Sequence, residues 1–141
     1  MNERSFDLIV LGVGMAAVNA ANKCAAAGWS VAVVDELPYG GTCALRGCDP
    51  KKMLRAGAEA VEAVRLLEGK GVAGETRIDW PTLMKHKESF TDPVPESMES
   101  ALTEAGGKTL HGRARFTAED RIEIDGYGEI AFRRALIATG A

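Results

Sequence analysis

The chain has 141 residues, 46% of them hydrophobic, which is enough to bury the core of one domain. Its net charge of −3 supplies no basic excess for nucleic acid or an anionic membrane surface. Three cysteines without a convincing export signal argue against a secreted disulfide framework and for free or catalytic thiols in a reducing, cytoplasmic setting.

Phe6 to Leu11 is a short apolar run that ends at Gly12, the pattern of a strand covered on both faces. The apolar stretch continues to Val18 but is too short to span a bilayer. An alanine-rich helix is expected next, running to Ala27 and capped by Gly28. Ser30 to Val34 is a second buried strand, and it ends at Asp35. Together these make a βαβ unit whose right-handed crossover leaves the two strands parallel neighbours.

Further on, Met53, Gly57, Val61, Val64 and Leu67 recur at helical spacing, so a helix is expected over Lys51 to Glu68 and a loop over Gly69 to Gly74. A second stripe runs from Leu83 to Leu102. Pro93 and Pro95 should split it into two helices that end at Gly106-Gly107. From Lys108 the period changes to two. Leu110 to Thr117, Arg121 to Asp125 and Glu129 to Phe132 read as strands, with Gly126-Tyr127-Gly128 as a hairpin connection and Ala135 to Ala138 as one more apolar strand.

Two stretches carry chemistry. Gly12-x-Gly14-x-x-Ala17 follows a strand and opens a helix. There the first glycine makes the turn, the second admits a pyrophosphate to the backbone, and small Ala17 lets helix and strand pack closely. Asp35, at the end of the next strand, is placed to accept hydrogen bonds from a ribose. The bland alternative is a structural glycine turn.

The second stretch is Gly40-Gly41-Thr42-Cys43-Ala44-Leu45-Arg46-Gly47-Cys48-Asp49-Pro50-Lys51-Lys52. A disulfide needs Cα atoms within about 4.4–6.8 Å, whereas five residues of ideal helix rise about 7.5 Å. If Cys43 and Cys48 form one, the segment must therefore be distorted or only partly helical, and Gly47 makes that easier. So small a ring removes only about 2 kcal/mol of unfolded-state entropy, which suits a reversible redox device better than a staple. Arg46, Lys51 and Lys52 favour a nearby thiolate and Asp49 opposes it. Cys24, His86 and His111 complete no evident metal cluster, and Cys24 reads as a packed thiol.

These motifs, with Ala138-Thr139-Gly140 near the end, resemble the flavoprotein pyridine nucleotide–disulfide oxidoreductases, among them glutathione reductase, dihydrolipoamide dehydrogenase and mercuric reductase. The window Gly-Gly-Thr-Cys-x4-Cys-x-Pro-Lys carries most of the specificity. The resemblance implies an α/β, Rossmann-type, three-layer FAD-binding domain over residues 1–141, with a mainly parallel sheet and a β-meander. It implies FAD as cofactor and NADPH or NADH as electron donor, bound outside this chain.

By the same resemblance, Cys48 is the thiol nearest the flavin, in charge-transfer contact with it, Cys43 is the interchange thiol, and Lys51 lies near the flavin N5. Gly12, Gly14, Ala16, Ala17, Gly41 and Thr42 would contact the cofactor, with Asp35 and Glu36 at the adenosine ribose. Arg113 and Ala114 would pass the adenine, and Ala138, Thr139 and Gly140 would return along the FAD. A small disulfide or related substrate and a homodimer of the full-length protein follow as expectations, with no nucleic-acid or membrane partner.

Two departures stand out. The familiar members have Val-Asn-Val-Gly between the cysteines and an apolar residue after them, where this chain has Ala-Leu-Arg-Gly and Asp49. The family's nicotinamide and dimerisation domains also lie beyond these residues, so the 141 residues are expected to be an incomplete enzyme, unable to turn over alone and weak in holding FAD. Two rivals stay open: a stand-alone nucleotide-binding module, and a thioredoxin-like dithiol protein, whose spacing would be Cys-x-x-Cys.

Overall fold

The computed structural model describes residues 5–140; Ala141, which follows the Thr139-Gly140 turn, lies outside them. The chain runs β1 (Ser5–Leu11), α1 (Met15–Ala26), β2 (Val31–Asp35), α2 (Gly41–Arg46), α3 (Cys48–Leu66), α4 (Trp80–Thr91) and α5 (Val94–Glu104). Four strands complete it: β3 (Lys108–His111), β4 (Ala114–Ala118), β5 (Arg121–Ile124) and β6 (Gly128–Ile137). They form one six-stranded sheet in the order β3-β2-β1-β6-β5-β4.

The β1, β2, β3 and β6 ladders are parallel, with Ile9 opposite Ala32 and Val34 opposite Leu110. Side chains alternate across this sheet and both faces are covered, so the strands read as unbroken apolar runs. Leu8, Val10, Val31 and Val33 face α1, where Ala17 and Ala21 are buried, and Leu102 of α5 completes that layer. Ile9, Leu11, Ala32 and Val34 face the other way. They meet Ile122 and Ile124 of β5 with Ile130 and Phe132 of β6. The antiparallel β4-β5-β6 meander therefore folds over the second face, giving three layers: helices, parallel sheet and meander.

Three expectations change in detail. The single strand Leu110 to Thr117 is two strands, β3 and β4, at opposite edges of the sheet. The chain leaves β3 at Gly112, whose N–H donates to the Asp35 carbonyl at 3.0 Å. The strands expected at Glu129 to Phe132 and Ala135 to Ala138 are one, β6, which pairs with β5 in its first half and with β1 in its second. Its two central arginines have partners: Arg133 Nη1 donates to Asp7 Oδ1 at 3.0 Å, and Arg134 lies 5.0 Å from the Trp29 ring centre.

The helix expected at Lys51 begins earlier, at Cys48, and is preceded by the short α2. Trp80 is the exposed first residue of α4, where Asp79 caps the helix through the Thr82 N–H. The break at the prolines falls as expected, between α4 and α5. Among the described residues no helix is long and apolar enough to cross a membrane.

Asp7, in β1, ties that strand to Ser30, just before β2, and to Arg133 in the middle of β6. Its Oδ2 accepts from the Ser30 N–H at 3.0 Å and the Ser30 hydroxyl at 2.9 Å, while Oδ1 holds Arg133. The Ser30 backbone bond first, then the Ser30 hydroxyl and Arg133, hold its carboxyl below the usual carboxylate range.

Candidate functional site: a dinucleotide-type cleft beside a dithiol

Parallel strands all deliver their carboxyl ends to one side, and in open α/β sheets that is where crevices form. Here β1 lies between β2 and β6, so the chain leaves it for one side of the sheet and returns on the other. Ala138 N–H donates to the Leu11 carbonyl at 2.8 Å and Gly12 N–H to the Val34 carbonyl at 2.8 Å, which locks the strand ends together. A Cβ on Gly12 would collide with the Ala138 carbonyl oxygen, so only glycine permits this approach.

A cleft of 590 Å³ opens over these ends. It is lined by Gly12, Gly14 and Ala16 from the β1–α1 turn, and by Asp35 and Glu36 after β2. Gly41 and Thr42 of α2 line it too, with Arg113 and Ala114 after β3 and Ala138, Thr139 and Gly140 after β6. All of these were singled out from the sequence. Ala17 alone among the cofactor candidates is elsewhere: it is fully buried on the inner face of α1, where its small side chain lets the helix sit close on β1.

The cleft suits an anionic dinucleotide on its own geometry. No side chain caps α1, so its first N–H groups are free to meet an anion, helped by the helix dipole. The direction in which a Gly14 Cβ would project is open for 4 Å. Asp35 uses Oδ1 to accept from the Leu37 N–H at 2.9 Å, which leaves Oδ2 and the exposed Glu36 for hydroxyl donors.

Tyr39 was not foreseen. It is fully buried, and its hydroxyl accepts from the Leu110 N–H at 3.0 Å and lies 2.9 Å from the Val33 carbonyl and 3.0 Å from that of Leu110. One residue thus ties the loop after β2 to both β2 and β3. Burial is the first cause pushing its phenol well above the ordinary range, so it stays a neutral donor. A lone aromatic in a loop gives no periodic signal.

The dithiol is built from the junction of α2 and α3. Gly41 starts α2 with φ +64°, and a Cβ on it would lie 2.7 Å from the Gly14 Cα, so the dithiol helix abuts the β1–α1 turn directly. Gly47 then breaks the helical path, with its missing Cβ only 2.8 Å from the Thr42 carbonyl oxygen. This is the distortion the spacing required: it folds Cys48, the first residue of α3, back toward Cys43.

Cys43 is half-buried and Cys48 exposed, both as thiols. The Cys48 side chain, hydrogen-bonded to it, is the main cause raising the Cys43 thiol above its ordinary range; burial and the charges of Cys48 and Asp49 act the same way. Lys51, exposed, sits one turn into α3, its N–H bonded to the Gly47 carbonyl at 3.0 Å. Neither the cysteines nor Lys51 lines the cleft. Arg46 does, although its position between the cysteines pointed only to the thiols.

The family model described as pyridine nucleotide-disulphide oxidoreductase matches residues 6–141. The chain is 32% identical over 142 residues to a glutathione reductase of Burkholderia cepacia, covering 100% of this chain and 31% of that protein. It is 31% identical over 144 residues to a dihydrolipoyl dehydrogenase of Chlamydia trachomatis, covering 100% and 31% respectively. A dihydrolipoyl dehydrogenase of Thermus scotoductus is 31% identical over 140 residues, covering 98% and 30%. The chain therefore spans about a third of the length of these relatives. With the sheet order, the glycine turn and the dithiol junction in place, the chain belongs to the pyridine nucleotide–disulphide oxidoreductase family.

Proposed function

We propose that these residues form the FAD-binding, dithiol-bearing part of an NAD(P)H-dependent disulfide reductase. One observation carries the reading. The six-residue helix α2 lends Gly41, Thr42 and Arg46 to the cleft and Cys43 to the dithiol, so a cofactor in the cleft and the redox pair share one element. When bound, FAD supplies the two electrons, drawn from NADPH or NADH, that open a Cys43–Cys48 disulfide.

In the cleft, the α1 N-terminus and the glycine turn hold the diphosphate, and Asp35 and Glu36 take the ribose hydroxyls. Arg113 and Ala114 flank the adenine, while Ala138, Thr139 and Gly140 close the opposite wall. The protein's own chemistry is thiol exchange. Cys43, as thiolate, attacks one sulfur of a small disulfide and expels the other half, which leaves as a thiol after taking a proton. Cys48 then attacks the Cys43 sulfur of the mixed disulfide, releases the second thiol and restores the Cys43–Cys48 bond. Lys51, one turn along α3 from Cys48, keeps a positive charge beside this exchange.

The order of the two thiols rests on the family resemblance. Exposure alone would send Cys48 to the substrate, so single variants are needed to separate the roles. A homodimer in a cytoplasmic, reducing compartment is the setting we infer for the full-length protein, from the family resemblance and the free cysteines.

The test is to purify the full-length protein, record the flavin absorbance, and follow NADPH and NADH oxidation with glutathione disulfide and lipoamide. Bound FAD with turnover that is lost in both Cys43→Ser and Cys48→Ser supports the reading. FAD uptake without any dithiol-dependent turnover leaves a nucleotide-binding module instead. In a trapping experiment with a small disulfide, Cys48→Ser should hold the mixed disulfide on Cys43.

A further inference from the structure

Four of the chain's arginines engage carboxylates: Arg55 with Glu59, Arg115 with Glu123, Arg121 with Glu129, and Arg133 with Asp7. Arg134 stacks on Trp29. Arg46, like Arg65, Arg77 and Arg113, pairs with no carboxylate among the described residues, and of these Arg46 and Arg113 line the main cleft.

Its position follows from α2. Residues four apart share a helix face, so Arg46 lies one turn beyond Thr42 on the side turned to the cleft. Gly41, at the start of the same helix, abuts Gly14, the residue just before α1. Arg46, at the other end of α2, thus shares the cleft with the uncapped end of α1, where the partial positive charge of the helix already sits. The cleft's acidic groups, Asp35 and Glu36, lie after β2, where the chain bonds to Gly112 through the Asp35 carbonyl. The cleft therefore offers carboxylates for hydroxyl donors after β2, with Arg113 near them after β3, and the Arg46 guanidinium and the free N–H groups of α1 on the helix side.

We propose that Arg46 is a cofactor-binding residue that pairs with the diphosphate of the bound dinucleotide, adding a side-chain cation to the backbone site at α1. The inference rests on the proposed FAD site. A guanidinium with free donors can take two phosphate oxygens at once, which a lysine at this position could not do. It also couples the two halves of the site, because the helix that carries Cys43 ends on the residue that grips the cofactor.

The test uses flavin-depleted full-length protein and titrates it with FAD and with riboflavin, which lacks both phosphates, reading the quenching of flavin fluorescence. Arg46→Met and Arg46→Gln should each weaken FAD binding by about tenfold to a hundredfold, the scale of a charged hydrogen bond. Riboflavin affinity should stay unchanged, and the FAD deficit should narrow as salt rises. Arg46→Lys should recover part of the loss. A parent protein that takes up no FAD overturns this inference and the proposed function together. A parent that binds FAD, with both neutral variants binding it as well, overturns this inference alone. An equal loss for FAD and riboflavin also overturns it, since the effect is then on the shape of the cleft.

Discussion

The cleft and the dithiol are neighbours built on opposite plans. The cleft is assembled from five stretches scattered between Gly12 and Gly140, each the tail of a parallel strand or the start of α2. Its inner surface is largely backbone and small side chains, fixed by the sheet. The dithiol is local: six residues, two helix ends and one glycine break. The first site rests on the ends of the sheet strands, while the second lies at a helix junction outside the sheet. A redox cycle needs that division, because the cofactor must stay still while the sulfur–sulfur bond opens and closes.

Substitutions at the shared boundary should blur this distinction most. Gly41→Val places a branched side chain at φ +64° against the Gly14 Cα, and α2 must move. The left-handed conformation and the clash together should cost about 2–4 kcal/mol, read by equilibrium denaturation, with FAD uptake and dithiol reactivity lost together. Retention of either alone would mean the two regions are less connected than α2 implies.

Tyr39→Phe sharpens the comparison from the cleft side. It strips the partner from the buried Leu110 N–H and should cost about 1–3 kcal/mol. It should weaken FAD binding through the loop that holds Asp35 and Glu36, yet leave the alkylation rates of Cys43 and Cys48 unchanged. Altered thiol rates would show that the support under the cleft also sets the dithiol.

The smallest effect is expected at the far end of the sheet. Asp7 has a carboxyl lowered from its ordinary 3.8 by Ser30 and Arg133, so its stabilising contribution is present above that value and lost as pH falls through the lower folded value. Asp7→Asn should lower the thermal midpoint at neutral pH, with the difference from the parent closing only in strong acid and FAD affinity untouched. A difference independent of pH would mean the carboxylate charge is not what matters.

The sequence made the local patterns legible and the distant ones much less so. Gly12, Gly14 and Asp35 stood out because turn, helix start and strand end follow one another within one βαβ unit. The dithiol stood out because its spacing conflicts with an ideal helix, and Gly47 offered the way out. Tyr39 gave no sign, since its partners in β2 and β3 are set by the tertiary fold. The period-two pattern from Leu110 to Thr117 continued through Gly112 although the chain there crosses from one sheet edge to the other. Conversely, Arg133 and Arg134 looked like a break in a strand that is continuous, because their partners come from Asp7 and Trp29. Arg46 was noticed as a charge near two thiols; the turn of α2 that carries it into the cleft was not legible.

In the proposed function, a cofactor in the cleft exchanges electrons with Cys43 and Cys48 and leaves Cys24 aside. Differential alkylation of the full-length protein with bound FAD, before and after anaerobic NADPH or NADH, tests it directly by peptide mass. The expected result is that Cys43 and Cys48 are both protected in the oxidised protein and both labelled after reduction, with the labelling of Cys24 the same in the two states. Identical labelling of Cys43 and Cys48 in both states, with FAD bound and reduced, would contradict the account.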